Sequence, residues 1–311
     1  MRKAHPTWGS KKILAVLDRE SVVSDLPARS TVDQVLKRAG LVVPRGARRK
    51  RRGPQAAPMV NAQQPNDVWS IDYKGWFRVG DGTRCDPLTV NDVCSRASLE
   101  CRALVSPKLE DVQWQLDSLF REIGLPGAML SDNGPPFASQ GIAGLSRLGV
   151  WLLKLEVQPI FIQPGHPEQN GRHERFHETL KAETASPPRP TIRAQQSAFD
   201  RFTACYNEER PHEALDMRTP AEVYRPSTRS MPSRLLDFEY DDVFEVRRVR
   251  TDGTIKWEGE HVFVGAAMSG ERVGIKPVGE VDWHVHLGAM RLGLLHEDSR
   301  LVVPLAEDIG E

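Results

Sequence analysis

Apolar positions recur with helical spacing twice in the first forty residues. The first set is Ile13, Leu14, Val16 and Leu17; the second is Val32, Val35 and Leu36, which follow Ser30-Thr31 and precede Ala39-Gly40. Two short helices joined by a tight stretch suit a helix-turn-helix unit, a pattern that any small helical pair shares. From Asp67 the texture turns to strands. Val68, Trp69, Ile71, Tyr73, Trp76 and Phe77 lead to a turn at Gly80-Asp81-Gly82, and Leu88, Val90 and Val93 form a second run. With a third run over 99–105, a meander of three antiparallel strands is predicted. Helical periodicity returns in Val112, Leu116, Leu119, Phe120 and Ile123, closed by Gly124. Ala128-Met129-Leu130 is then a short strand ending in Ser131-Asp132-Asn133-Gly134, and residues 142–155 read as a longer helix. Gln169, Asn170 and Gly171 break any earlier element, so a helix with Phe176 and Leu180 on one stripe starts near Asn170. The order βββαβα is that of an α/β fold. Beyond Pro226 a Ser/Pro/Arg-rich connection leads to β-rich runs at 243–249, 255–257, 261–264, 273–275 and 283–287. Five short strands in so little chain predict a small barrel at about 237–300.

Charge divides this chain. Residues 1–58 hold 14 Lys/Arg against 4 Asp/Glu, and 59–311 hold 28 against 38, so a net charge of zero hides a basic start and an acidic body. An anionic partner is expected for the first, and cation chemistry for the second. Arg48, Arg49, Lys50, Arg51 and Arg52 are consecutive. Such a run is either a self-repelling linker or a phosphate-contacting arm. The expected organisation is a helical segment at 1–45, a basic linker at 46–66, a core at 67–225 and the barrel at 237–300. At 311 residues, with 39% hydrophobic and 27% charged, the chain can bury a sizeable core. It has no run of 18 apolar residues and no signal-like apolar block at its N-terminus. Nothing therefore points to a membrane or to secretion, and a cytoplasmic, nucleoid-associated protein is expected. Cys85, Cys94, Cys101 and Cys205 form no CxxC pair, so reduced thiols are expected.

Three acids stand out. Asp72 lies inside a strand, where Asp is disfavoured, between aromatics that should pack. Asp132 ends the strand after the first long helix, in an Asp-Asn-Gly sequence that is also a plain turn signal. Glu174 falls in the first turn of the helix near Asn170, on a polar stripe with Glu178 and Lys181, away from Phe176 and Leu180. A different reading of the same helix is available. His173, Glu174 and His177 spell HExxH, the spacing that sets two imidazoles around a zinc ion in metalloproteases.

The order of the motifs decides between them. Trp69-Ser-Ile-Asp72 comes first, then Ser131-Asp132-Asn133-Gly134, then Pro167-Glu-Gln-Asn-Gly171-Arg-His-Glu174. Last come Tyr206-Asn207-Glu-Glu-Arg210-Pro211-His212 and Thr219-Pro220. Over about residues 67–225 this resembles the integrase catalytic core of insertion-sequence transposases of the IS481 and IS3 type, related to retroviral integrases. Trp8-Gly9 and the second helical run resemble the second helix-turn-helix of that family, so the expectation is a truncated chain that lacks an upstream DNA-binding unit. The resemblance implies an RNase H-like mixed sheet with flanking helices, preceded by the helix-turn-helix segment and followed by an SH3-like barrel. It implies a D-D-E triad of Asp72, Asp132 and Glu174 holding two Mg²⁺ (or Mn²⁺) ions for DNA strand cleavage and strand transfer. It implies DNA as partner, both terminal inverted repeats and target, and a homodimer or higher multimer on that DNA. Forty-one residues separate Asp132 from Glu174, and Glu168, with 35 between, is the rival by spacing; Glu174 is expected because it follows Asn-Gly by three residues on the helix. Lys181 is the expected phosphate contact, with Arg172 and His173 behind it. Arg210 and His212 match the last motif, where clamping the final helix is as reasonable as touching DNA. A DNA-binding protein without cleavage activity is the remaining alternative, and the intact acids argue against it.

If residues 48–52 contact phosphates, neutralising all five weakens binding to every DNA sequence alike. The salt dependence then flattens by up to roughly 0.9 in log–log slope per lost contact. Titrations at several salt concentrations check this, and an unchanged slope returns the run to the role of linker.

Overall fold

Strand-forming and helix-forming runs settle into elements close to the periodicities that predict them. The computed structural model describes residues 1–21, 25–42, 60–139, 141–163, 166–297 and 302–303. Residues 48–52, and with them the proposed arm, lie outside the described residues. Along the chain come α1 (Ser10–Arg19), α2 (Arg29–Arg38), β1 (Val68–Tyr73), β2 (Phe77–Arg78), β3 (Arg84–Asp92) and β4 (Ser98–Leu104). There follow α3 (Leu109–Ile123), β5 (Ala128–Ser131), α4 (Arg147–Lys154), β6 (Gln158–Phe161), α5 (Gly171–Thr184), α6 (Ile192–Ala204) and α7 (Pro220–Val223). The last six are β7 (Glu245–Arg248), β8 (Thr254–Trp257), β9 (Glu260–Phe263), β10 (Arg272–Pro277), β11 (Asp282–Leu287) and β12 (Met290–His296). Among the described residues no helix is long and apolar enough to cross a membrane.

These elements form two units, each discontinuous in sequence. The first comprises Met1–Ser106 and Gly165–Ser227, the second Pro107–Pro164 and Thr228–Glu311. In the first, β3 pairs antiparallel with β1, placing Asp72 opposite Thr89, and also with β2 and β4. The predicted meander is present, with β2 added as a short hairpin strand. Phe176 and Leu180 of α5 pack with Phe199, Phe202 and Tyr206 against Val79, Cys85 and Cys101. The α1–α2 pair has its own small core of Trp8, Ile13, Val16 and Leu36. All four cysteines are free thiols, as expected.

In the second unit β5 and β6 run parallel. Helix α3 ends where predicted, because Gly124 takes φ +81°, a conformation that L side chains rarely adopt. The long helix expected over 142–155 is broken. Ile142–Gly144 is a single 3-10 turn in which Ala143 has φ +54°, and α4 starts only at Arg147, where the Ser146 hydroxyl accepts the Gly149 N–H. Gly141 and Gly144 relax the backbone, and a serine four residues before the next apolar pair offers a better start. Among the described residues the C-terminal region has six strands rather than five, in a four-stranded sheet of order β12-β11-β10-β7 and a hairpin of β8 and β9. Ile255, Trp257, Val262, Val273, Ile275, Val285 and Leu295 share one core there. The sixth strand, β12, contains Gly293, whose missing side chain leaves room for the backbone of Val303 paired with Leu294.

Phe199 is fully buried in the core that backs α5. Phe199→Ala should cost about 3–5 kcal/mol of unfolding free energy, measured by chemical denaturation, whereas truncating exposed Trp114 should cost little.

Candidate active site

Helix α5 is fixed to the strands by polar groups at its start. Asn170, immediately before the helix, donates its side-chain amide to Asp72 Oδ2 at 2.9 Å. Three residues on, His173 is buried, with Nδ1 2.9 Å from Ser70 Oγ of β1 and Nε2 2.6 Å from Thr89 Oγ1 of β3. His177, one turn later, brings its Nε2 within 2.8 Å of the same hydroxyl. Thr89 Oγ1 also lies 3.1 Å from the Asp72 carbonyl oxygen. A hydroxyl has one proton to donate and two lone pairs to accept with. One distribution satisfies all four contacts. Thr89 donates to the Asp72 carbonyl, both imidazoles donate Nε2–H to Thr89, and Ser70 shares its single proton between His173 Nδ1 and the Asn91 carbonyl 3.3 Å away. Both rings are then neutral. Burial pushes His173 well below its usual pKa, with His177 adding to it, and burial, with Lys74 nearby, pushes His177 down to about 3.

The zinc-protease reading of HExxH fails on this geometry. Both Nε2 atoms are taken by a threonine hydroxyl, and Glu174 is exposed in the first turn of α5. Glu174 follows Asn170 by four residues, about one turn, so it rises on the side of the helix from which Asn170 reaches Asp72. Asp72, on β1, and Glu174, on α5, belong to the first unit. Asp132 belongs to the second, directly after β5. There the turn reading holds: Asp132 Oδ1 accepts the Gly134 N–H at 3.1 Å, and Asn133 donates to the Ile162 carbonyl at 2.6 Å. A side chain at Gly134 would press on the Asp132 carboxylate, with a Cβ only 3.2 Å from Oδ2.

Cations crowd the first unit. Lys74, two residues after Asp72, has its pKa lowered by burial and then by Lys181, so the expected phosphate contact on α5 has a second lysine beside it. Arg172 is held below the usual guanidinium range by partial burial and by Arg175, and Arg96 by burial and then by Arg172. Lys74, Arg96, Asn170 and Thr89 escaped the sequence reading, because none is marked by periodicity and each becomes notable only through partners far away in the chain. Arg210 and His212, the residues of the last motif, have partners within the protein. Arg210 Nη1 donates to Thr7 Oγ1 at 3.1 Å and lies 3.2 Å from Glu183 Oε1. His212 packs edge-on to Tyr206, and burial lowers its pKa to about 3.

His173, His177 and His212 are bases whose folded pKa values lie below the unfolded value of roughly 6.5. Below that value the unfolded chain binds protons that the folded chain refuses. The stability they contribute is therefore complete above about pH 6.5 and lost as pH falls toward 3. Each adds up to about 1.4 kcal/mol per pH unit to the slope. Urea unfolding at pH 7, 6 and 5 should show this loss, and His177→Gln should make the slope shallower.

Comparison with known proteins adds the family. Two integrase core domain models match residues 62–167 and 155–220, and the C-terminal domain of IS481 family transposases matches 244–295. An insertion element IS407 protein of Burkholderia multivorans is 30% identical over 222 residues, covering 69% of this chain and 74% of that protein. The transposase InsD of insertion element IS2 from Escherichia coli is 27% identical over 239 residues, covering 71% and 74%. Among solved structures, the HTLV-2 integrase catalytic core in complex with magnesium aligns with 52% of this chain and 99% of its own, at 14% identity and a TM-score of 0.42. From the identity and reach of the insertion-element relatives, and from the three domain models laid end to end, the chain belongs to the insertion-element transposases of the IS481/IS3 type that carry an integrase core.

Proposed function

We propose that Asp72, Asp132 and Glu174 are the catalytic carboxylates of this transposase and hold divalent ions, Mg²⁺ or Mn²⁺, two per site. The observation that carries this reading is the Asn170–Asp72 hydrogen bond, which joins the start of α5 to the acid of β1. The donor set fits such ions, since all three are hard carboxylate oxygens on a strand, a turn and a helix. When bound, the ions supply Lewis-acid activation of the attacking oxygen and stabilisation of the leaving oxygen at a DNA phosphate.

The protein's own part is positioning. Asn170 orients Asp72, the Gly134 N–H orients Asp132, and α5 holds Glu174 on a rigid backbone open to substrate. Lys74 and Lys181, with Arg96, Arg172 and Arg175, are cations set against one another, an arrangement relieved when an anion comes between them. We assign them to phosphates of the element end or of the target, joined by residues 48–52. His173 and His177, kept neutral by burial, are structural rather than proton carriers. Joining two ends to one target needs two such sites, so the working form is a dimer or larger complex on DNA.

The test is cleavage and strand transfer with the cognate element ends and Mg²⁺ or Mn²⁺. Asp72→Asn, Asp132→Asn and Glu174→Gln should each abolish cleavage while leaving end binding within a few-fold. Loss of a partner that orients a metal ligand costs about 10- to 100-fold, so Asn170→Ala should fall in that range and the three acid variants beyond it. Normal cleavage by Glu174→Gln, with loss in Glu168→Gln, would transfer the role to Glu168.

A further inference from the structure

A second group of metal-binding side chains lies away from these acids. At the end of α6 the chain continues for five residues, Cys205–Glu209, as a π-helix. This places Cys205 Sγ and Glu209 Oε2 3.6 Å apart. His5, which precedes α1, faces both. Its Nδ1 is 3.7 Å from Cys205 Sγ and its Nε2 3.7 Å from Glu209 Oε2. The ring is held in place by stacking on Trp8, with centroids 3.8 Å apart and planes 14° from parallel, and Trp8 is itself buried. One sulfur, one imidazole nitrogen and one carboxylate oxygen thus lie within 4.8 Å of one another.

The spacing suits a shared cation. Ligands bound at about 2.0–2.3 Å to one tetrahedral ion lie roughly 3.3–3.7 Å apart; the sulfur stands at that separation from both Nδ1 and the carboxylate oxygen, and all three ligand atoms lie within 4.8 Å. Nδ1 faces the sulfur and is the nitrogen that an ion on Sγ would take. A thiolate, an imidazole and a carboxylate together match a borderline-soft ion of the zinc class and not Mg²⁺, which demands oxygen. The nearest strong cation, Arg210, is engaged with Glu183 3.2 Å away. We propose that His5, Cys205 and Glu209 form a Zn²⁺-type site, distinct from the proposed catalytic carboxylates, with a fourth position left for water. Its effect is a clamp. His5 and Cys205 are 200 residues apart in sequence, and an ion between them fastens the segment that leads into α1 to the end of α6. It would reinforce the Thr7–Glu183 and Arg19–Met217 hydrogen bonds of the same contact.

The experiment is titration of the reduced, metal-stripped full chain with Co²⁺, followed by Zn²⁺. Expected are one equivalent of Co²⁺ giving the near-ultraviolet thiolate-to-cobalt band, its loss on adding Zn²⁺, and its absence in Cys205→Ser. His5→Gln and Glu209→Gln should each weaken Co²⁺ binding about tenfold or more, and Cys94→Ser should leave it unchanged. The exposed Glu209 keeps the test open should Cys205→Ser fail to fold, and far-ultraviolet circular dichroism monitors folding throughout. Carboxylate sites give no thiolate band, so Co²⁺ at the proposed catalytic acids is not mistaken for this one. No band at saturating Co²⁺ in the folded chain, or a band that survives Cys205→Ser, would overturn the proposal.

Discussion

Two imidazoles bring three ring nitrogens onto two hydroxyls, and how they do so sets the helix that carries Glu174. An unpaired polar group in the interior costs about 1–3 kcal/mol, so His173 and His177 hold α5 at the one rotation where Thr89 and Ser70 can serve them. At that rotation Phe176 and Leu180 also face the α6 aromatics, and polar and apolar demands agree. Glu174 is then turned outward, and Asn170 reaches Asp72. The HExxH sequence is thereby absorbed as structure. Its histidines point into the protein, and the glutamate between them is released for other chemistry.

The contact between the N-terminal helices and the rest of the first unit gives the charge asymmetry a second meaning. Lys11 pairs with Glu213, Arg19 with Glu222, and Lys12 is buried enough, between Arg210 on one side and Glu213 and Glu183 on the other, to have its pKa drawn down to about 8. Part of the anionic partner of the basic segment is therefore the acidic body of the same chain. Exposed pairs of this kind contribute little each, and the burial of Trp8, Ile13 and Val16 does more to hold α1 in place. The cations of α2, Arg29, Lys37 and Arg38, remain exposed and face outward from this arrangement.

Much of this was legible in the sequence, for physical reasons that differ from place to place. The α1, α2 and α3 helices and strands β1, β3 and β4 follow from periodicity, because each turns one apolar face inward. Asp72 was conspicuous because a carboxylate in a strand between aromatics has no packing reason to be there. The broken helix before α4 was not legible, since its apolar spacing continues through Gly144 while the backbone does not. Nor was β6, four residues long with a proline at its second position, or β12, whose Gly293 reads as a turn and acts as room for a neighbour. Thr89, Lys74 and Asn170 belong to a further class. Each is an ordinary residue locally, and its role exists only in pairs separated by tens of residues.

That separation bears on how the protein is made. Thr89 and His173 are 84 residues apart, and the first unit is interrupted by the whole stretch from Pro107 to Pro164. During synthesis β1 and β3 emerge from the ribosome long before α5, and until it arrives the Ser70 and Thr89 hydroxyls have only water and backbone for company. A chain interrupted anywhere before residue 170 therefore carries Asp72 without the Asn170 amide that bonds to it and without Glu174. Asp72 and Glu174, two of the carboxylates proposed for catalysis, thus enter the chain at widely separated times, and topology alone keeps an incomplete product from holding both.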